Sequence, residues 1–253
     1  QPGGQAAEVH AISIYGGPPV NRDRVYFCCL DGRLYCLDRR TGRMLWNYPT
    51  RDWIEGAPAI AAGRVYIASS DASLYCVDAE LGVLRWQLPC DGPLASTPLV
   101  IDGTVCAGSE AGTMYAVDAE SGKVRWKTGR HAPIAGAAAG AGRIVFTAGD
   151  GKLHCVTLAE GKPLWPAASL EGTVKAPPII VGEVAFAGNT AGQVFGVSLR
   201  DGSIAWKDSV RFGRQIVKPL AYMDGRLYVP GAGRDGGYTI FAAPQTSKQE
   251  PSR

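Results

Sequence analysis

Charge is scarce in this chain. Asp, Glu, Lys and Arg make up 19% of its 253 residues, and the net charge is only +3. A balance so close to zero gives no electrostatic footprint for nucleic acid or for an anionic membrane surface. Histidine is scarcer still: His10, His131 and His154 lie far apart, and no Cys-x-x-Cys occurs, so no zinc-type ligand spacing is present. No apolar run approaches the ~20 residues of a membrane-spanning helix. None of the three asparagines, Asn21, Asn47 and Asn189, begins a glycosylation sequon. Catalytic signatures are missing as well: there is no Gly-x-Ser-x-Gly, no His-Glu-x-x-His and no P-loop. Gly231-Ala-Gly233-Arg-Asp-Gly236 matches Gly-x-Gly-x-x-Gly, but it leads into a predicted strand and lacks the helix N-terminus that would bind phosphate. It reads as a turn.

Two things are abundant. Apolar residues reach 46%, enough to bury a core, which excludes a disordered chain. Glycine (33) and proline (17) together make about a fifth of the chain, where about 12% is usual. Glycine at that density disfavours a helical bundle, at ~1 kcal/mol per helical glycine. It favours a β protein with many turns.

The turns recur with a period. DGRLYCLDRRTGRMLW (31–46), DASLYCVDAELGVLRW (71–86), AGTMYAVDAESGKVRW (111–126), DGKLHCVTLAEGKPLW (150–165) and AGQVFGVSLRDGSIAW (191–206) align, with steps of 40, 40, 39 and 41 residues between their tryptophans. Trp46, Trp86, Trp126, Trp165 and Trp206 are five of the six tryptophans. Each period divides into four short strands, for example 57–62, 64–69, 73–78 and a fourth ending in the tryptophan. Asp38, Asp78 and Asp118, and in the same place Thr157 and Ser198, accept backbone N–H groups at the turn before that fourth strand. Gly42, Gly82, Gly122, Gly161 and Gly202 take its left-handed position. The aspartates could in principle be acids or metal ligands, but turn chemistry accounts for every one of them.

Four strands repeated every forty residues form a blade, and blades close radially into a propeller. The pattern G-x-[LV]-Y-x-[LV]-D-x-x-[TS]-G-x-x-x-W resembles the quinoprotein-type (PQQ-like) β-propeller repeat, of which the BamB-type propeller is one form. The resemblance spans about residues 16–243. It implies an all-β fold in which the tryptophan of each outer strand docks on the neighbouring blade. The expected architecture is a six-bladed propeller of four-stranded antiparallel blades in one domain, 1–253, with flexible tails at 1–7 and 245–253. The sixth period lacks a fourth strand, and the alternating segment EVHAISIY (8–15) is expected to supply it and close the ring.

The seven cysteines fit this scheme as small packing residues. Cys36, Cys76 and Cys155 share a third-strand slot with Ala116 and Gly196. Cys28 shares a second-strand slot with Ala68, Gly108, Thr147 and Ala187. The resemblance to quinoprotein alcohol dehydrogenases also raises a vicinal Cys28–Cys29 disulfide. Successive strand side chains face opposite ways, which argues for two thiols instead.

The repeats differ most in the loops that join one blade to the next. Segments 47–56, 87–96, 127–136, 166–176 and 207–218 carry −1, −1, +2, 0 and +3, a total equal to the net charge of the chain. Arg130, His131, Arg211, Arg214 and Lys218 therefore form an expected basic sector, with Lys207 near it. Trp53, the one tryptophan outside the repeat slot, lies with Arg51 and Tyr48 in the first loop, as interface anchors do. The alternative is that Trp53 plugs the ring axis or packs on a strand and that the basic residues are merely solvated. The expected function is a non-catalytic protein- or peptide-binding scaffold, monomeric, with no cofactor, no bound nucleic acid and no membrane insertion. The resemblance adds a sensor module of a larger protein such as a bacterial Ser/Thr kinase. The competing class is a quinone- or metal-dependent oxidoreductase on a shortened propeller, although no residue maps onto its calcium site or its catalytic carboxylate. A chain starting at Gln1 suggests a trimmed or excised form. Its compartment stays open, since thiols favour a reducing one and the resembling family is often exported.

Overall fold

Tight hairpins set the local structure. Ala62–Gly63, Asp102–Gly103 and Ala141–Gly142 have positive φ at both residues, the type I′ geometry whose twist matches antiparallel strands. The aspartate turns form as the pattern demands. Asp38 Oδ1 accepts the amides of Arg40 (3.1 Å) and Thr41 (2.7 Å), Asp78 Oδ1 those of Glu80 (2.9 Å) and Leu81 (2.8 Å), and Asp118 Oδ1 those of Glu120 (3.2 Å) and Ser121 (2.8 Å). These carboxylates are turn acceptors.

The computed structural model describes residues 17–129, 132–210, 215–230 and 238–242. It contains six antiparallel sheets, each built in chain order. Blade 1 is β1 (Val20–Asn21), β2 (Arg24–Cys29), β3 (Arg33–Asp38) and β4 (Met44–Pro49); blade 2 is β5 (Ala59–Ala61), β6 (Arg64–Ser69), β7 (Ser73–Asp78) and β8 (Leu84–Pro89). Blade 3 is β9 (Leu99–Ile101), β10 (Thr104–Gly108), β11 (Met114–Asp118) and β12 (Val124–Lys127); blade 4 is β13 (Ile134–Gly140), β14 (Arg143–Ala148), β15 (Lys152–Thr157) and β16 (Ala168–Ser169). Blade 5 is β17 (Ile179–Val181), β18 (Val184–Gly188), β19 (Gln193–Ser198) and β20 (Ile204–Ser209); blade 6 has three described strands, β21 (Ala221–Met223), β22 (Arg226–Pro230) and β23 (Tyr238–Ala242). This is a six-bladed β-propeller. The segment 8–15, expected to complete blade 6, the Gly-x-Gly-x-x-Gly at 231–236 and the two tails lie outside the described residues.

Each tryptophan joins two blades. Within its own blade the indole pairs across a small third-strand residue: Cys36↔Trp46, Cys76↔Trp86, Ala116↔Trp126 and Gly196↔Trp206, each followed by a β-bulge. The small residue is required because a second-strand ring often crowds the same spot. Tyr26, Tyr66 and Phe186 stand 5.8, 5.9 and 5.9 Å from the indoles of Trp46, Trp86 and Trp206. The outer face of the indole then lies on the turn glycine of the next blade. A Cβ added at Gly82, Gly122, Gly161 or Gly202 would come within 2.5–2.8 Å of Trp46, Trp86, Trp126 or Trp165. Trp86, Trp126 and Trp165 also donate Nε1–H to the carbonyls of Ala119 (3.1 Å), Leu158 (2.8 Å) and Leu199 (3.3 Å) beside those glycines. Trp206 packs edge-on against Phe241 of blade 6, 5.4 Å away. Five apolar cores follow, one between each successive pair of blades.

Three expectations need correction. The tryptophan does not end the fourth strand: Trp46 is the third residue of β4, which runs on to Pro49, because the edge strand keeps pairing up to Arg33↔Pro49. In blade 4 the outer strand is broken: Trp165 lies outside any strand between Pro163 and Pro166, neither of which can donate to a ladder. The residue matching Cys28 in blade 5 is Gly188, not Ala187, because Val184 is the residue that pairs with Ser198 as Arg24 does with Asp38.

The cysteines are thiols. Cys28 is buried in the core between blades 1 and 2, and burial pushes its thiol far above the ordinary range. Burial likewise raises Cys76 and Cys106, each to about 12. Such groups are inert packing atoms at neutral pH.

Two measurements check this account. Gly122→Ala adds a Cβ against the Trp86 ring at φ +71, whereas Gly42→Ala meets nothing within 4 Å at φ +69. Backbone strain of about 1–2 kcal/mol applies to both; overpacking of about 1–3 kcal/mol more applies only to Gly122, so urea unfolding should rank Gly122→Ala clearly worse. Asp78 is held below the usual carboxylate range by the Arg85 guanidinium and the turn amides. Its folded pKa is therefore lower than its unfolded one, and its stabilisation is complete only well above the unfolded value of about 4 and fades as pH falls through that value toward the folded one. Asp78→Asn should flatten the loss of stability between pH 5 and pH 3, measured as the urea midpoint at each pH.

Candidate functional site

Antiparallel order puts the blade-to-blade loops and the turns between second and third strands on one face. The inner strands converge beneath them. Gly56 approaches the Ser96 backbone so closely that a Cβ there would sit 2.7 Å from it, and Gly136 meets Pro177 in the same way at 2.6 Å. Small residues let the inner strands crowd toward a common axis. A cavity of about 680 Å³ remains along it, lined from every blade, from Gly17 through Glu55 and Ala95 to Pro177 and Lys218. It adjoins a second cavity of about 740 Å³ that shares Glu55, Ala95, Ser96 and Ala135 and adds Glu110, Asp150 and Lys175.

Among the described residues the mouth carries charges of both signs. Lys218 does line the axial cavity. Lys207 is neutralised by Glu171 (2.5 Å) and lies over the Phe195 ring. Arg130, His131, Arg211 and Arg214 fall outside the described residues, so the sector itself is untested. Glu55, Glu110, Asp150 and Lys175 were missed. Glu55 and Lys175 lie in the same loop windows, but only the ring brings loops about 40 residues apart to one rim.

Trp53 does not plug the axis. Its side chain is absent from the cavity walls and 57% exposed. The loop that carries it is braced from below. Thr50 Oγ1 donates to the Gly32 and Asp52 carbonyls (2.8 and 2.6 Å), Ser70 N–H donates to the Trp53 carbonyl (2.8 Å), and Arg51 N–H to Asp71 Oδ2 (3.0 Å). Asp71 Oδ2 also accepts the Tyr75 hydroxyl (2.6 Å); burial, with this bond second, raises the Tyr75 phenol. Tyr48 packs edge-on against Tyr75 at 6.0 Å. The indole is thus exposed on a loop held by hydrogen bonds, with the exposed Arg51 two residues away.

The family model described as outer membrane protein assembly factor BamB matches residues 3–207 and, again, 92–243. The chain belongs to this PQQ-like, BamB-type propeller family. A search of curated proteins by sequence finds no match. Among solved structures, the computationally designed Ika8 protein superposes with a TM-score of 0.82 at 15% identity, over 95% of this chain and 74% of that one. BamB from Moraxella catarrhalis gives 0.61 at 18%, over 95% and 86%. The quinohemoprotein alcohol dehydrogenase ADHIIG from Pseudomonas putida HK5 gives 0.73 at 16%, over 87% of this chain but only 51% of its own length. These likenesses establish the fold.

The family's quinone can be tested against the cavity. Pyrroloquinoline quinone carries three carboxylates. The described lining of the axial cavity is mostly Gly, Ala and Pro, with one lysine, Lys218, and an opposing carboxylate, Glu55. A trianion there would be left largely uncompensated, so the described lining does not fit it. Among the described residues no group of three His, Cys, Asp or Glu side chains could hold a metal ion, and no helix is long and apolar enough to cross a membrane.

Exposure of Trp53 sets an optical test. Trp126 and Trp165 are buried and the other repeat tryptophans are partly covered. Trp53→Phe should remove most of the iodide-quenchable tryptophan emission and leave stability within about 0.5 kcal/mol, as for a surface substitution.

Proposed function

We propose that the chain is a binding scaffold that recognises a protein or peptide on its loop face, with no chemistry of its own. One observation carries this reading. Residues from the described loops of successive blades line one cavity with charges of both signs, and the loop that supplies Glu55 to it also carries the exposed, braced indole of Trp53. Interfaces are anchored by such aromatic and arginine side chains, whereas catalysis needs convergent acid, base or metal groups. Membership of the BamB-type family supports a role in binding. Within this reading Trp53, Arg51, Arg130, His131, Arg211, Arg214 and Lys218 form the contact patch. The propeller would then serve as the recognition module of a larger protein, as in a bacterial Ser/Thr kinase or an envelope assembly.

Likeness to the quinohemoprotein dehydrogenases supports the oxidoreductase reading at the level of fold only. Two measurements separate the readings. Addition of pyrroloquinoline quinone with calcium should leave the quinone absorbance and the melting temperature unchanged; a joint shift of both would restore the enzyme. Affinity capture with the wild type beside a Trp53→Ala, Arg211→Ala, Arg214→Ala variant should lose its partner in the variant. Equal recovery would remove the loop face from the proposal.

A further inference from the structure

The hairpins between third and fourth strands lie on the face opposite the loops, and four of the five are polar around the glycine: Thr41-Gly-Arg43, Ser121-Gly-Lys123, Glu160-Gly-Lys162 and Asp201-Gly-Ser203. Blade 2 reads Leu81-Gly82-Val83 instead. In blades 1 and 3 the residue before the glycine is a hydroxyl that closes the turn: Thr41 Oγ1 donates to Asp38 and Ser121 Oγ to Asp118, both at 2.7 Å. Leu81 forfeits that bond and is 63% exposed, with Val83 at 49% beside it. Leu84 and, on the neighbouring blade, Met44 and Leu45 are exposed as well.

The same joint gives up a second hydrogen bond. The Ala119 carbonyl accepts both the Tyr66 hydroxyl (3.1 Å) and the Trp86 Nε1–H (3.1 Å), whereas the matching Ala79 carbonyl accepts the Tyr26 hydroxyl (3.0 Å) and, in place of the indole, the Arg24 guanidinium (3.2 Å). Trp46 Nε1 is left buried without a partner. Two polar satisfactions made between blades 2 and 3 are missing between blades 1 and 2, where the exposed leucine stands. Contiguous exposed apolar surface with a polar rim marks an interaction site.

A groove of about 790 Å³ runs beside this hairpin between blades 1 and 2. Of its acids, Glu80 pairs with Arg24, Asp78 pairs with Arg85 and Asp38 holds its own turn, while exposed Asp23 is offset by the equally exposed Arg22 next to it in the lining. On the blade 1 hairpin, Arg39, Arg40 and Arg43 are exposed and make no ion pair among the described residues. The free charge at the joint is therefore positive and the hairpin beside it apolar.

We propose that the groove and the blade 2 hairpin dock an acidic amphipathic segment of a partner protein. Its apolar anchors would seat on Leu81 and Val83, and its carboxylates would face Arg40 and Arg43. This site is on the face opposite Trp53 and stands independently of the loop-face reading. The probe is a fluorescein-labelled 16-residue helix of Leu, Ala and Glu, with leucines at i, i+3, i+4 and i+7, followed by fluorescence anisotropy. Leu81→Thr with Val83→Lys, and separately Arg40→Glu with Arg43→Glu, should each weaken binding at least tenfold, while Trp53→Ala leaves it unchanged. Replacing the peptide's glutamates by lysine should also cost at least tenfold. Leu81→Thr alone restores the sibling turn bond, so its urea midpoint should equal or exceed that of the wild type, which separates lost docking from lost folding. The proposal is overturned by no binding, by equal binding in the variants, or by preference for vesicles of phosphatidylcholine with 30% phosphatidylserine over the peptide.

Discussion

The contact on which the rest depends is an indole laid on a glycine. Each outer-strand tryptophan needs three things at once: a small residue beside it, a turn glycine beneath it on the next blade, and a carbonyl to take its N–H. Where all three are present, as at Trp86 and Trp126, successive blades are locked by shape and by one hydrogen bond. A buried indole removes some 150–250 Å² from water. The five cores between blades therefore begin at the girdle and extend inward to the axis. Glycine serves twice here, since the turn needs its positive φ and the neighbouring ring needs its missing Cβ.

That lock explains why the two faces can diverge. The turns on the hairpin face are held by aspartates and glycines that the lock requires, so a departure there stands out, as Leu81 does. The loops on the other face carry no such duty. They are free to hold Trp53, Arg51, Glu55 and Lys218, and the ring brings them to one rim. A scaffold whose stability lies between its blades can vary its loops at little cost.

Much of this was legible in the sequence because the period of the fold is printed in it. The tryptophan steps, the Asp-x-x-Thr/Ser-Gly turns and the small third-strand residues all follow from contacts local to a blade or repeated between blades. Errors arose where one copy departs from the rest: the prolines that break the outer strand of blade 4, and the one-residue slip at Val184. The site was less legible. Trp53 stands out because it breaks the pattern and Lys218 because of the charge of its loop, whereas Glu110 and Asp150 lie inside the pattern, in turns where an acid looks like ordinary turn chemistry.

By itself, then, the sequence determined the blade, its turns, its girdle and the number of repeats, because each of these depends on residues a few positions apart or one period apart. Only the tertiary structure decided what shares the axis, which acids are silenced by an arginine, and which apolar side chains stay uncovered. Those outcomes depend on neighbours brought together by the ring, tens of residues apart in the chain, and spacing alone carries no record of them.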